Sequence, residues 1–176
     1  SNNIPDSKGI NAYLRDKSVS NWLEYYCGKE LFEQVENKFI ELGEVVGSEL
    51  EELALSVDKN PPKLKKRSRV GELSNDIEKH PDFIKIEKFA FEKFGLAAMS
   101  HRHGVFGMQQ PLPPIVKYGL TFLFVQSEFG LCCPLSMTDS LTRTLTKFGD
   151  KKLIDKFFDQ LTSQDLDHLF QGAMFM

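Results

Sequence analysis

Long apolar runs are missing from this chain of 176 residues. The longest, residues 120–125 with Thr121 inside it, is far shorter than the roughly 20 residues that cross a bilayer. That excludes a transmembrane helix, and no signal peptide is visible. Cysteine is scarce: Cys27, Cys132 and Cys133 are odd in number and two are adjacent, so no disulfide framework is expected. A reducing, cytoplasmic setting fits that usage. Positive charge is not in excess, because the net charge is −3. Nothing therefore draws the whole chain to nucleic acid or an anionic membrane. Neither a GxxxxGK nor a GxGxxG phosphate loop occurs. His101 and His103 form the one His-x-His pair, with no third or fourth ligand nearby in sequence. A loop-capping role is expected for it and no metal site.

What is abundant is phenylalanine, fifteen residues against one Trp and four Tyr. Such a load implies broad, flat apolar contacts in a core or at an interface. Hydrophobic residues make up 41% and charged residues 27%, an ordinary globular balance. The length suits one helical domain that buries roughly 70% of its unfolded surface.

Periodicity supplies the elements. Residues 1–17 are polar, lack a period and read as a mobile N-terminal arm, with Ser1 and Asn2 as candidate tag residues. A helix is expected from Ser18 or Ser20, either of which has a capping hydroxyl, to Gly28. Leu31, Phe32, Val35, Phe39, Leu42, Val46, Leu50 and Leu53 recur at three- and four-residue steps. They predict one helix over residues 30–56, about 40 Å long. Asn60-Pro61-Pro62 ends it. Residues 63–69 hold five basic side chains in seven and read as a solvated loop balancing the acidic helix before it. The stretch to His80 reads as irregular. Pro81 opens a helix that runs to Phe94, with His80 as a hydrogen bonder at its entry. Gly and Pro keep residues 99–114 irregular. Further helices are expected over residues 114–129, 134–148 and 150–161, the last capped by Asp150. The apolar tail after Phe170 reads as a departing strand. The fold class is all-α, an up-and-down bundle of about six helices over residues 18–170, with residues 171–176 leading out of it.

Two nucleophile readings are weak. Cys132-Cys133 lies at a helix start, where a thiolate is favoured, but no His or Cys-x-x-Cys accompanies it. Buried structural thiols are expected. Ser136, His168 and Asp165 make a triad on paper only, since no nucleophile-elbow glycines flank the serine.

Two segments carry a family resemblance. One is Glu128-Phe129-Gly130-Leu131-Cys132-Cys133-Pro134-Leu135-Ser136-Met137-Thr138. The other begins Lys147-Phe148-Gly149-Asp150-Lys151-Lys152-Leu153 and leads to Gly172-Ala173-Met174-Phe175-Met176. Both resemble the last helices of the N-terminal domain of acyl-CoA dehydrogenases. A third, Asn75-Asp76-Ile77-Glu78-Lys79-His80-Pro81, is similar to the alkylation-response, AidB-like branch, as is Cys133-Pro134-Leu135-Ser136-Met137-Thr138. The resemblance covers residues 68–176.

It implies an FAD-dependent parent that dehydrogenates acyl-CoA thioesters at the α,β carbons. Met137, Thr138 and Leu141 match its acyl-facing helix, and Met174 and Met176 match positions whose backbone lies by the flavin. Plain core packing is the alternative for all five. The resemblance also implies that the flavin-binding β-domain and the helical bundle bearing the catalytic glutamate lie beyond residue 176. The chain alone is then expected to be inert, and its uncovered apolar faces to drive homo-oligomerisation. Two rival classes are a helical protein-interaction module with Phe-rich faces and a nucleic-acid-associated domain acting through Lys63, Lys65, Lys66, Arg67 and Arg69.

Overall fold

A computed structural model describes residues 3–175; Ser1 and Asn2, and with them the tag reading, and Met176 lie outside the described residues. Within them are seven α-helices and one two-stranded hairpin. The first helix, α1 (Lys17–Cys27), is capped by Asp16, whose carboxylate accepts the Ser18 N–H at 2.9 Å. The cap is therefore an acid just ahead of the expected serines. Gly28, at φ 72°, ends α1 and leads directly into the next helix.

The single helix expected over residues 30–56 is two, α2 (Lys29–Val46) and α3 (Glu49–Lys59). The cause is the N-terminal segment. It crosses the helix at a notch made by Gly43 and Gly47. The Ala12 N–H donates to the Gly43 carbonyl at 2.9 Å, and the Gly9 N–H to the Gly47 carbonyl at 2.6 Å. A Cβ on Gly43 would strike Asn11, and one on Gly47 would strike the Ile10 carbonyl. This crossing breaks the helix at Gly47-Ser48. It also corrects the mobile-arm reading, because Ala12 and Tyr13 are buried and the Tyr13 hydroxyl donates to Glu36 at 3.2 Å.

The segment read as a basic loop and an irregular connection is an antiparallel hairpin, β1 (Lys63–Arg67) and β2 (Leu73–Glu78). Lys63 pairs with Glu78, Leu64 with Ile77 and Lys65 with Asp76, and the register shifts between Lys65 and Arg67. Ser68 and Gly71, at φ 87°, form the turn. β1 is exposed throughout and β2 almost so.

His80 and Pro81 start α4 (Pro81–Glu87), the His80 Nδ1 accepting the Asp82 N–H at 3.3 Å. The helix does not run on evenly to Phe94. It widens into a π-helix over Lys88–Lys93. After an irregular stretch with one short 3-10 turn come α5 (Pro114–Phe124), α6 (Cys132–Phe148) and α7 (Lys151–Leu161). α5 stops short of the expected residue 129, and α6 starts at Cys132 with Pro134 inside its first turn. The buried Glu128 carboxylate accepts the Leu131 N–H at 3.1 Å just ahead of α6. Asp150 caps α7 through the Leu153 N–H at 2.8 Å. The tail takes no strand conformation over residues 169–175.

The core lies between α1, α2, α3, α4 with its π-helix, and α5. Leu23, Phe39, Leu42, Leu50, Ile86, Phe91, Phe94, Met99, Leu120 and Phe124 are fully buried there. Gly119 brings α5 close, since a Cβ would sit 2.8 Å from both Phe39 and Trp22.

Candidate functional site

Helix α6 and the tail hold the residues expected to contact substrate and cofactor. Thr138 faces inward with no exposed surface. Its hydroxyl donates to the Pro134 carbonyl at 2.7 Å and accepts the Gly172 N–H at 2.9 Å. A Cβ on Gly172 would meet the Met137 carbonyl oxygen at 2.6 Å, so only glycine lets the tail cross here. Met137 is half-buried beside the crossing. Leu141, Met174 and Phe175 are exposed. The structure thus joins the tail to the expected acyl-facing helix through Thr138, whose own hydroxyl is spent on that junction.

Residues 162–172 reach the crossing as a strap held from both sides. Arg102 donates to the Thr162 carbonyl at 3.2 Å. Glu92, on the π-helix, accepts the Gln164 side-chain amide at its carbonyl, 2.7 Å, and the Leu166 N–H at its carboxylate, 3.1 Å. Buried Glu87 accepts from Gln171 at 3.1 Å and from Lys79 at 2.6 Å. A cavity of about 480 Å³ opens between Ile77, Phe83, Glu87, Leu131, Pro134 and Leu169 at the start of α6.

A second buried cluster lies on another side of α6. The Asp139 carboxylate accepts from Lys117 on α5 at 2.7 Å and from His101 at 2.8 Å, while Arg143 stands 3.5 Å away. The His101, Lys117 and Asp139 side chains are each about 94% buried (6% exposed). Burial pushes the Asp139 carboxyl up, but the hydrogen bonds and charges of His101 and Lys117 outweigh it and bring it down to about 2. Sequence reading missed this cluster and gave His101 a loop-capping role. The available signal was Lys117 within the apolar face of α5, next to Val116 and before Leu120.

Other expectations fare differently. Cys133 is exposed and Cys132 half-buried with its Sγ 3.9 Å from the Ser136 hydroxyl, so the buried-thiol reading is corrected at these positions. Cys27 is half-buried, and burial raises its thiol pKa. His168 lies 3.8 Å from Asp165 on an exposed turn, and Ser136 has Cys132 as its neighbour. Of the basic side chains, Lys65 pairs with Glu78 at 3.1 Å and Arg67 donates to the Gly71 carbonyl at 2.9 Å. Among the described residues no three His, Cys, Asp or Glu side chains are grouped to hold a metal ion, and no helix is long and apolar enough to cross a membrane.

The described residues form a mostly helical domain with one small two-stranded sheet, the fold of acyl-CoA dehydrogenase N-terminal domains. The structure superposes on Bd2924 in its apo form with a TM-score of 0.79 at 20% identity, over 96% of this chain and 33% of that one. It superposes on Caenorhabditis elegans ACDH-11 in complex with C11-CoA with a TM-score of 0.77 at 20% identity, over 97% of this chain and 29% of that one. In sequence it is 22% identical to Acyl-CoA dehydrogenase family member 11 of Caenorhabditis elegans over 169 residues, 94% of this chain and 27% of the relative. The family described as the Adaptive response protein AidB N-terminal domain matches residues 2–168, and the chain belongs to it. The chain spans about a quarter to a third of the length of these relatives.

Proposed function

We propose that this chain is the N-terminal helical domain of a cytoplasmic, FAD-dependent oxidoreductase that dehydrogenates acyl-CoA thioesters at the α,β carbons, and that it forms one wall of the acyl and flavin pocket. The observation that carries this reading is the crossing of the tail over α6, where Thr138 accepts the Gly172 N–H. It unites the helix bearing Met137 and Leu141 with the backbone that leads to Met174. The ACDH-11 structure, solved with C11-CoA, supports acyl-CoA as the ligand class.

FAD supplies the hydride acceptor when bound. The chain's part is limited. Residues 173–175 are exposed and form no helix or strand, which suits one backbone edge beside a flat ring. They bring no cationic side chain to a pyrophosphate, so most of the cofactor's contacts belong to other segments. Met137 and Leu141 give apolar contact to an acyl chain and exclude water. Thr138 acts through the crossing. Among the described residues, Asp139 and Glu87 beside this wall both point inward to lysine partners and are not free to act as a base. The chain by itself is then inactive. Exposed Phe129, Phe148, Leu153 and Phe175 give it apolar surface for self-association.

The test is to express the gene's full-length product and titrate it anaerobically with a medium-chain acyl-CoA. A bound flavin spectrum that bleaches on titration is expected. Gly172→Ala should lower flavin retention or bleaching by roughly tenfold or more, because ångström-scale misplacement is costly in such sites. A full-length product without flavin would overturn the reading.

A further inference from the structure

Helix α6 is held in place in an unusual way. Its fully buried side chains are Leu135, Thr138, Asp139 and Thr142, so one of four is aliphatic, while Pro134, Met137 and Leu145 are half-buried. Thr138, Thr142 and Thr146 each donate back to the carbonyl four residues earlier in their own helix. Among the described residues, the only side-chain hydrogen bonds from α6 to elements before it are those of Asp139, to Lys117 on α5 and to His101 in the turn after the π-helix.

Successive helical side chains are about 100° apart. Asp139 therefore points to one side of Thr138, and Met137 with Leu141 to the other. Rolling α6 about its axis would carry Asp139 away from Lys117 and His101, lift Thr138 off Gly172 and swing Met137 and Leu141 together. Apolar contacts are non-directional and resist such a roll weakly. Two short, charge-assisted hydrogen bonds in a dry site are directional and resist it strongly. Both partners are fixed by elements of the main core, since Lys117 lies between buried Val116 and Leu120, and His101 follows the buried run from Leu96 to Met99.

We propose that Asp139 is a positioning residue: its clamp on Lys117 and His101 sets the roll of α6, and through Thr138 and Gly172 it sets where the acyl wall and the departing tail stand. The part concerning the acyl wall rests on the function proposed above; the part concerning the tail does not.

Asp139→Asn in the full-length protein keeps the shape and removes the charge. Two readouts separate positioning from simple support. The first is amide hydrogen exchange at Gly172 compared with Phe39. Exchange at Gly172 should speed up by about tenfold or more, with Phe39 changing less than twofold. An equal change at both amides, or none at Gly172, would overturn the proposal. The second is acyl-CoA turnover per bound flavin: KM should rise by roughly tenfold with kcat within twofold, the mark of binding lost equally from the ground and transition states. Faster Gly172 exchange with KM unchanged overturns the acyl-wall part alone. A wild-type protein that does not turn over acyl-CoA sinks the proposed function, while the exchange result still decides the clamp. Should Asp139→Asn fail to fold, His101→Gln keeps the Lys117 pair and should give the same pattern at smaller amplitude.

Discussion

The two halves of this domain are built on different physics. From Ala12 to Phe124 the helices close over a continuous apolar core, in which Phe39, Leu42, Leu50, Phe91, Phe94, Leu120 and Phe124 are fully buried. From Cys132 onward burial is sparse. Leu135 is the one fully buried aliphatic side chain of α6 and Leu161 that of α7. Polar junctions take over: Asp139 with Lys117 and His101, Thr138 with Gly172, Glu92 with Gln164 and Leu166, Glu87 with Gln171. Apolar packing supplies most of the free energy of a fold and little direction. Hydrogen bonds add little net free energy but fix geometry. The first half therefore stabilises the domain and the second orients α6 and the tail.

The comparison breaks most visibly if the core is not where the stability lies. Phe39→Ala removes a ring that contacts Tyr13 and fills the space left by Gly119. It should cost about 3–5 kcal/mol, read as a shift of the urea midpoint without a change in slope. A loss near 1 kcal/mol would mean that the polar half carries the fold after all.

Acid sharpens the same contrast at intermediate size. The Asp139 carboxyl is held at about 2, below its ordinary value of 3.8. Its folded pKa is depressed, so its contribution is fully present above the unfolded value and is lost as pH falls through about 2. That contribution is about 2 kcal/mol. Urea unfolding at pH 7, 4 and 2 should show wild type well above Asp139→Asn at the first pH and the gap shrinking toward the last. A gap independent of pH would remove the ion cluster from the stability of α6.

How much of this was legible in the chain follows from the same division. Apolar periodicity, with the Pro, Gly and capping signals at the helix ends, found the helices of the first half and also α6 and α7, because those signals are local. Their joints were not legible. The break at Gly47-Ser48 hides inside an unbroken apolar period, since Val46, Leu50 and Leu53 keep step across it. Its cause is a segment more than 30 residues away, the Ile10 carbonyl lying where a Cβ of residue 47 would be. The hairpin escaped because neither face is buried, so no alternation was imposed on it. The Asp139 cluster joins residues 22 and 38 positions apart, and no spacing rule encodes such a meeting. Met137, Thr138 and Leu141 came from the family resemblance. The structure adds that Thr138 is spent on Gly172 and that Leu141 is exposed.

The hairpin is the third kind of region, with neither a core nor an orienting junction, and it supplies the smallest expected effect. Leu64 and Ile77 face each other across the strands and are 56% and 60% exposed. An isolated two-stranded hairpin is marginal in water, so its residues add little to global unfolding. Leu64→Ser with Ile77→Ser should shift stability by no more than about 0.5 kcal/mol. Hydrogen exchange across β1 and β2 should already be fast in the wild type, with opening uncoupled from the core. If the double substitution lowered stability by 2 kcal/mol or more, the hairpin would be covered in solution by another surface, and the division of the domain into a stabilising half and an orienting half would need a third, interfacial member.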